Sequence, residues 1–117
     1  MGSFYESLTL FGAGDRQISV EARVDTSAMF SVVPASILRE LGVAPIDSIP
    51  VRFASGQTNR LLLGEVIAEL QDVRRPILCL FGSENAPALI GAHTLEAFLM
   101  TVDMVEQKLV PKEALLM

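Results

Sequence analysis

Residues 21–34, EARVDTSAMFSVVP, set an aspartate between two apolar runs. A carboxylate in such a place is costly unless hydrogen bonds satisfy it or a reaction uses it. Upstream, Ile18, Val20, Ala22 and Val24 share one face of a stretch whose other face is Gln17, Ser19, Glu21 and Arg23. That period of two predicts a half-buried strand over 17–24. Downstream, MFSVVP predicts a short strand, and Pro34 is suited to open a helix at its first turn. Ile37, Leu38 and Leu41 fall on one face of that helix, and Gly42 can close it in the left-handed conformation. Asp25 thus stands in a tight connection, Asp25-Thr26-Ser27-Ala28, between two segments that both seek a core.

The surrounding chain is rich in strands. FYESLTLF over 4–11 has β-forming residues, Gly12–Asp15 is a turn, and the pair 4–11 and 17–24 predicts a hairpin. Residues 43–50 hold two prolines and are expected to be a connection. Residues 51–70 predict a second hairpin with a polar tip at 55–59 and Gly64 as a bulge in its return arm. RPILCLFG over 75–82 has the unbroken apolar centre of a buried strand. Residues 83–87 are loop. Leu95, Phe98 and Leu99 then have the spacing of one helical face, and 101–103 and 108–110 predict two strands around a turn. The fold class expected is mostly β, a closed or folded-over β structure with one or two short helices.

Composition narrows the functional classes. Length 117 suits one domain. Half the residues are hydrophobic and 20% are charged, which supports a packed core and excludes a disordered chain. The net charge of −5, with no Lys/Arg run, argues against nucleic acid as a partner. No apolar run approaches the roughly 20 residues that span a bilayer, and no signal peptide is visible, so no membrane partner is expected and a cytoplasmic location is the reading. Cys79 has no partner for an internal disulfide, and it reads as a buried small hydrophobe. With His93 it makes too small a donor set for structural zinc, so no metal is expected. Met29, Met100, Met104 and Met117 read as core or interface filler. The apolar end 114–117, ALLM, is expected at an interface.

Three elements in this order resemble the retropepsin-like aspartic peptidases, the single-domain retroviral-type enzymes. Val24-Asp25-Thr26-Ser27-Ala28 after a strand is similar to their active-site loop. Leu89-Ile90-Gly91 before AHTLEAF is similar to their second loop and the helix that follows it. Between them, VRFASGQ is similar to their flap hairpin. The resemblance spans most of residues 4–111 and implies one retropepsin-like domain over 1–117, with an acid-protease-type β-barrel. In it, the active-site loop is 24–28, the flap hairpin about 50–62, and the second loop 89–91. One position departs from the pattern: the family usually has Gly where this chain has Ser27.

What the resemblance implies is an endopeptidase whose catalytic group is Asp25. Peptide hydrolysis of this kind needs two adjacent carboxylates sharing a proton, one acting as general base on water and one polarising the scissile carbonyl. Asp15, Asp47, Asp72 and Asp103 begin no second such loop. An active form is therefore expected to be a homodimer that brings Asp25 to its own copy at a two-fold axis. Thr26 would brace the paired loops and Ser27 would lie near substrate backbone. Ala28 supplies no hydroxyl to the carboxylate, from which a mildly acidic optimum is expected. Phe53, Ala54, Ser55, Gly56 and Gln57 would close over an extended polypeptide substrate. Met29, Phe30, Phe53 and Ile90 suggest apolar pockets. No organic cofactor is implied. Two other readings stand beside this one. The same fold without catalysis would serve dimerisation or peptide binding. Without the resemblance, Asp25 is a turn or cap aspartate of a small ligand-binding barrel, and Gly56 and Gly91 are ordinary turn residues.

Overall fold

The computed structural model describes residues 4–114 and 116. Among them, nine strands and two short helices run in the order β1 (Tyr5–Phe11), β2 (Gln17–Val24), β3 (Ser31–Pro34), α1 (Ala35–Glu40), β4 (Pro45–Arg52), β5 (Thr58–Leu70), β6 (Val73–Gly82), β7 (Leu89–Ile90), α2 (Ala92–Ala97), β8 (Met100–Asp103) and β9 (Lys108–Pro111). The first seven strands lie in the sheet order β1-β2-β7-β3-β6-β5-β4, and β1 also pairs with β5. That last pairing closes six strands into a ring and leaves β4 outside it. The mostly β class expected from the sequence is the class observed.

The closure depends on the length of β5. Its C-terminal half is paired along one edge with β6, in the register Leu63↔Leu80 to Leu70↔Val73. The other edge is shared in succession, by β4 over residues 58–64 and by β1 over 67–69. Inward residues from all sides meet in one core. Leu8, Leu10, Ala22, Leu38, Ala68, Leu70, Cys79 and Ile90 are fully excluded from water. A buried leucine of this kind stabilises the fold by about 2–5 kcal/mol relative to alanine.

Several expectations need correction. Residues 45–50 are strand and not connection. Both prolines lie on β4, which has a single strand neighbour, β5, and an edge strand tolerates the missing donors. The hairpin turn is consequently 53–57 and not 55–59. The irregularity opposite Gly64 belongs to β4, between Pro45 and Asp47. Gly64 itself admits close neighbours, since a Cβ there would stand 2.9 Å from Val43 Cγ1 and 3.0 Å from Phe81 Cε1. Leu99 does not extend the apolar face of α2. It turns left-handed at φ 56° and is exposed, whereas Leu95 and Phe98 are buried. Of the methionines read as core or interface filler, Met100 is core, and Met29 and Met104 are exposed on the single chain. Of the apolar end, residues 115 and 117 lie outside the described residues.

The hairpin of β8 and β9 forms a separate two-stranded sheet. The loop 83–87 has a structural task that its composition did not announce. The Glu84 carboxylate accepts from the Ser36 amide at 2.9 Å and from the Ser36 hydroxyl at 2.5 Å, which ties the loop to the first turn of α1. Those two donors hold the Glu84 carboxyl below its usual range. No helix of the described residues is long and apolar enough to cross a membrane.

Candidate active site

Asp25 follows directly on β2, and its position is set by backbone contacts on both sides. β2 runs parallel to β7, with Arg23 opposite Leu89 and Val24 opposite Ile90. The ladder continues into the loop, where the Asp25 amide donates to the Ile90 carbonyl at 3.0 Å. The Ala28 amide turns back to the Asp25 carbonyl at 3.2 Å. The far end of the loop is held by α2: the Ala92 amide donates to the Ala28 carbonyl at 2.7 Å and the His93 amide to the Met29 carbonyl at 2.9 Å. The two segments singled out in the sequence, Asp25–Ala28 and Leu89–Gly91, are thus brought into direct contact.

Gly91 is required by that contact. Its backbone is extended, with φ −95° and ψ 177°, so no special conformation is needed. Space is the reason: a Cβ would stand 2.6 Å from the Phe30 carbonyl carbon and oxygen and 2.8 Å from the Ala28 oxygen. Ile90 beside it points into the core and is fully buried, so it lines no surface pocket, which corrects the expectation that it contacts substrate. Leu89 is half-buried.

The Asp25 side chain is partly exposed, and its Oδ1 receives two donors from one residue. The Ser27 hydroxyl donates at 2.6 Å and the Ser27 amide at 3.0 Å. These bonds, chiefly the hydroxyl, hold the carboxyl below its usual range against a partial desolvation that raises it, with smaller lowering contributions from Arg23 and the Ala28 amide. The absence of a hydroxyl at position 28 does not leave the carboxylate without one, because Ser27 supplies it. Ser27 also carries no strain, because it is absent from the left-handed residues, which among non-glycines are Gln71, Asp72, Leu99 and Gln107. Thr26 is exposed beside it.

The loop Phe53–Gln57 is built differently. The Phe53 amide donates to the Gln57 carbonyl and the Gly56 amide to the Phe53 carbonyl, both at 2.8 Å, and the Gln57 amide reaches the Ser55 hydroxyl at 3.3 Å. Gly56 has φ +90°, which favours glycine there. All five residues, Ala54 included, are exposed.

Comparison with solved structures finds this chain path in other proteins at low identity, among them the following. The retroviral protease-like domain of Ddi1 from Leishmania major superposes with TM-score 0.62 at 17% identity, covering 97% of this chain and 91% of that one. A Legionella pneumophila protein of unknown function gives 0.59 at 18% identity, over 86% and 89%. The simian foamy virus protease gives 0.57 at 15% identity, over 79% and 91%. The chain has a retropepsin-like fold. No family model matches the sequence, and no curated protein matches it.

Within the retropepsin-like fold, the residues that sequence reasoning missed lie beneath the Asp25 loop. Ser31 and Thr94 are buried polar residues whose hydroxyls meet at 2.5 Å, and Ser31 Oγ also accepts from the Gly91 amide at 3.1 Å. This triangle joins β3, α2 and the second loop. A signal existed. Ser31 alternates with Val33 in the inward register of β3, and Thr94 adjoins Leu95 on the buried side of α2. Outside, Phe30 stacks on His93 with centroids 5.2 Å apart and planes at 16°. Among the described residues, no three His, Cys, Asp or Glu side chains gather as a metal site. Cys79 is buried within β6, and burial pushes its thiol up to about 12.

Proposed function

We propose that this protein is an aspartic endopeptidase, active as a homodimer in which Asp25 of each protomer contributes one carboxylate. The observation that carries the reading is the position of Asp25. It is a partly exposed, hydrogen-bonded carboxylate at the end of β2, in a loop packed on Gly91, within a retropepsin-like fold. A structural cap would have its bonding oxygens committed to a helix end, whereas both donors to this carboxylate come from its own loop. One protomer provides one such group, and two-fold pairing provides the second. Like charges so close do not ionise together, so the pair titrates as a unit with one shared proton.

In this reading the ionised carboxylate takes a proton from water, and the water oxygen attacks the scissile carbonyl carbon. The protonated carboxyl donates to the carbonyl oxygen, and the amine then leaves as its nitrogen is protonated. Phe53–Gln57 closes over an extended polypeptide whose backbone adds as a strand. The exposed Met29 and Phe53 and the half-buried Phe30 supply apolar contact to substrate side chains. Neither a metal nor an organic cofactor enters these steps.

The test is cleavage of a degenerate peptide library across pH by wild type and Asp25→Asn, at several protein concentrations. We expect cleavage that rises more steeply than linearly near the dimer dissociation constant. Asp25→Asn should lower it by roughly 10,000-fold or more. Folded, dimeric wild type that cuts nothing at any pH would return the chain to the reading of a peptide-binding or dimerisation module.

A further inference from the structure

The Asp25 carboxylate is bonded asymmetrically. Both close donors, the Ser27 hydroxyl at 2.6 Å and the Ser27 amide at 3.0 Å, converge on Oδ1. An amide at this position is available from any residue except proline. The hydroxyl is particular to the side chain, and its 2.6 Å separation is in the range of an O–H donor on an ionised oxygen. Ser27 is exposed and free of left-handed strain, so the fold makes no demand on its side chain. The hydroxyl is committed within the loop, to the one group for which the reaction class has a use.

We infer that Ser27 is a positioning residue: its hydroxyl locks the rotation of the Asp25 side chain, commits Oδ1 as an acceptor and leaves Oδ2 as the oxygen available to water or to a shared proton. The catalytic use of this arrangement rests on the peptidase reading, but the arrangement does not. The hydroxyl and the amide both donate to Oδ1, and hydrogen bonds to the charged form favour the ionised carboxyl. The lower of the two apparent values of the paired carboxylates therefore lies further into acid than a pair without the hydroxyl would show.

The other groups around Asp25 can be separated from Ser27. On β2, Arg23 lowers the same carboxyl by its charge, less strongly than Ser27 does. Across the β1–β2 ladder Tyr5 stands opposite Arg23. Residues 89–91 of β7 and the second loop carry no titratable side chain. On α2 the titratable side chains are His93, stacked on Phe30, and Glu96. In a homodimer the partner's own copy of the aspartate adds to these.

The experiment uses the whole chain as wild type, Ser27→Ala, Ser27→Gly, Ser27→Thr and Arg23→Gln. Two readouts are taken: the titration of the Asp25 carboxyl carbon by NMR, assigned with Asp25→Asn, and the pH profile of kcat/KM. Ser27→Ala and Ser27→Gly should move the Asp25 titration and the acid limb of the profile to higher pH. Ser27→Thr should restore both, and Arg23→Gln should move them less. Titration curves of wild type and Ser27→Ala that superimpose would overturn the inference. So would an acid limb that stays in place while the titration moves. A wild type that cleaves nothing, with the titration still moved by Ser27→Ala, would remove the peptidase reading while upholding the lock on the carboxylate.

Discussion

The two regions that the proposed reaction needs are built on opposite physical terms. The Asp25 loop is held by its neighbours: Ile90 receives its first amide, α2 donates to its last carbonyls, and Gly91 lies against it with no room for a methyl group. The Phe53–Gln57 loop is held by itself, through three short-range bonds at the exposed tip of a hairpin. Its outer strand β4 pairs only with β5 and lies outside the closed ring. The first region gains precision from contacts between elements distant in sequence. The second gives up such contacts, and exposed backbone with few partners is what permits local opening. A carboxylate must be placed to a fraction of an ångström, whereas a cover must move aside to admit a chain.

The contrast can be broken at its tightest point. Gly91→Ala puts a Cβ 2.6 Å from the Phe30 backbone, and backbone cannot turn aside as a side chain does. We expect about 3 kcal/mol of lost stability in chemical denaturation and loss of cleavage in whatever remains folded. An alanine that costs less than about 0.5 kcal/mol would mean that the loops are not in direct contact.

A smaller loss is expected beneath the loop. Ser31→Ala removes the acceptor of the Gly91 amide and the partner of Thr94, leaving two buried polar groups without their bonds. Stability should fall by about 2 kcal/mol, measured in urea. Thr94→Val should be additive with it only partly, because the two hydroxyls share one bond.

The smallest effect on stability belongs to the loop 53–57. Gly56→Ala meets no atom within 4 Å but retains a φ of +90°, so the cost is conformational, about 1 kcal/mol, and confined to the tip. Hydrogen exchange sharpens the same comparison. The amides of Phe53 and Gly56 should exchange well before those of Asp25 and Ala92, in wild type and variant alike. Equal protection of the two regions would remove the distinction between a fixed site and a free cover.

Much of this was legible in the chain. Alternation over 17–24 foretold β2 and its buried face, because one side of a strand in a ring always meets the core. Pro34 and Gly42 bracketed α1, since each has a backbone preference that holds in any context. Asp25, Thr26, Ser27 and Ala28 were recognisable as one loop, and Leu89-Ile90-Gly91 as another. The misreadings share a cause. Prolines 45 and 50 argue against a strand only where both edges are paired, and nothing local reveals that β4 is an outer strand. Leu99 has helical spacing, but the helix ends before it.

The sequence by itself determined the elements, the inward faces and the short-range chemistry. Periodicity, turn residues and the order Val24-Asp25-Thr26-Ser27-Ala28 act over a few residues and need no partner. Only the tertiary structure decided what lies against what: that Gly91 must be small because Phe30 crosses it, that Ser31 and Thr94 close a buried triangle, and that Ser27 aims its hydroxyl at Asp25. Ser31 and Thr94 are 63 residues apart in the chain and 2.5 Å apart in space. Such contacts arise from closure of the ring, which sums weak preferences along the whole chain, so no single stretch of the chain encodes them.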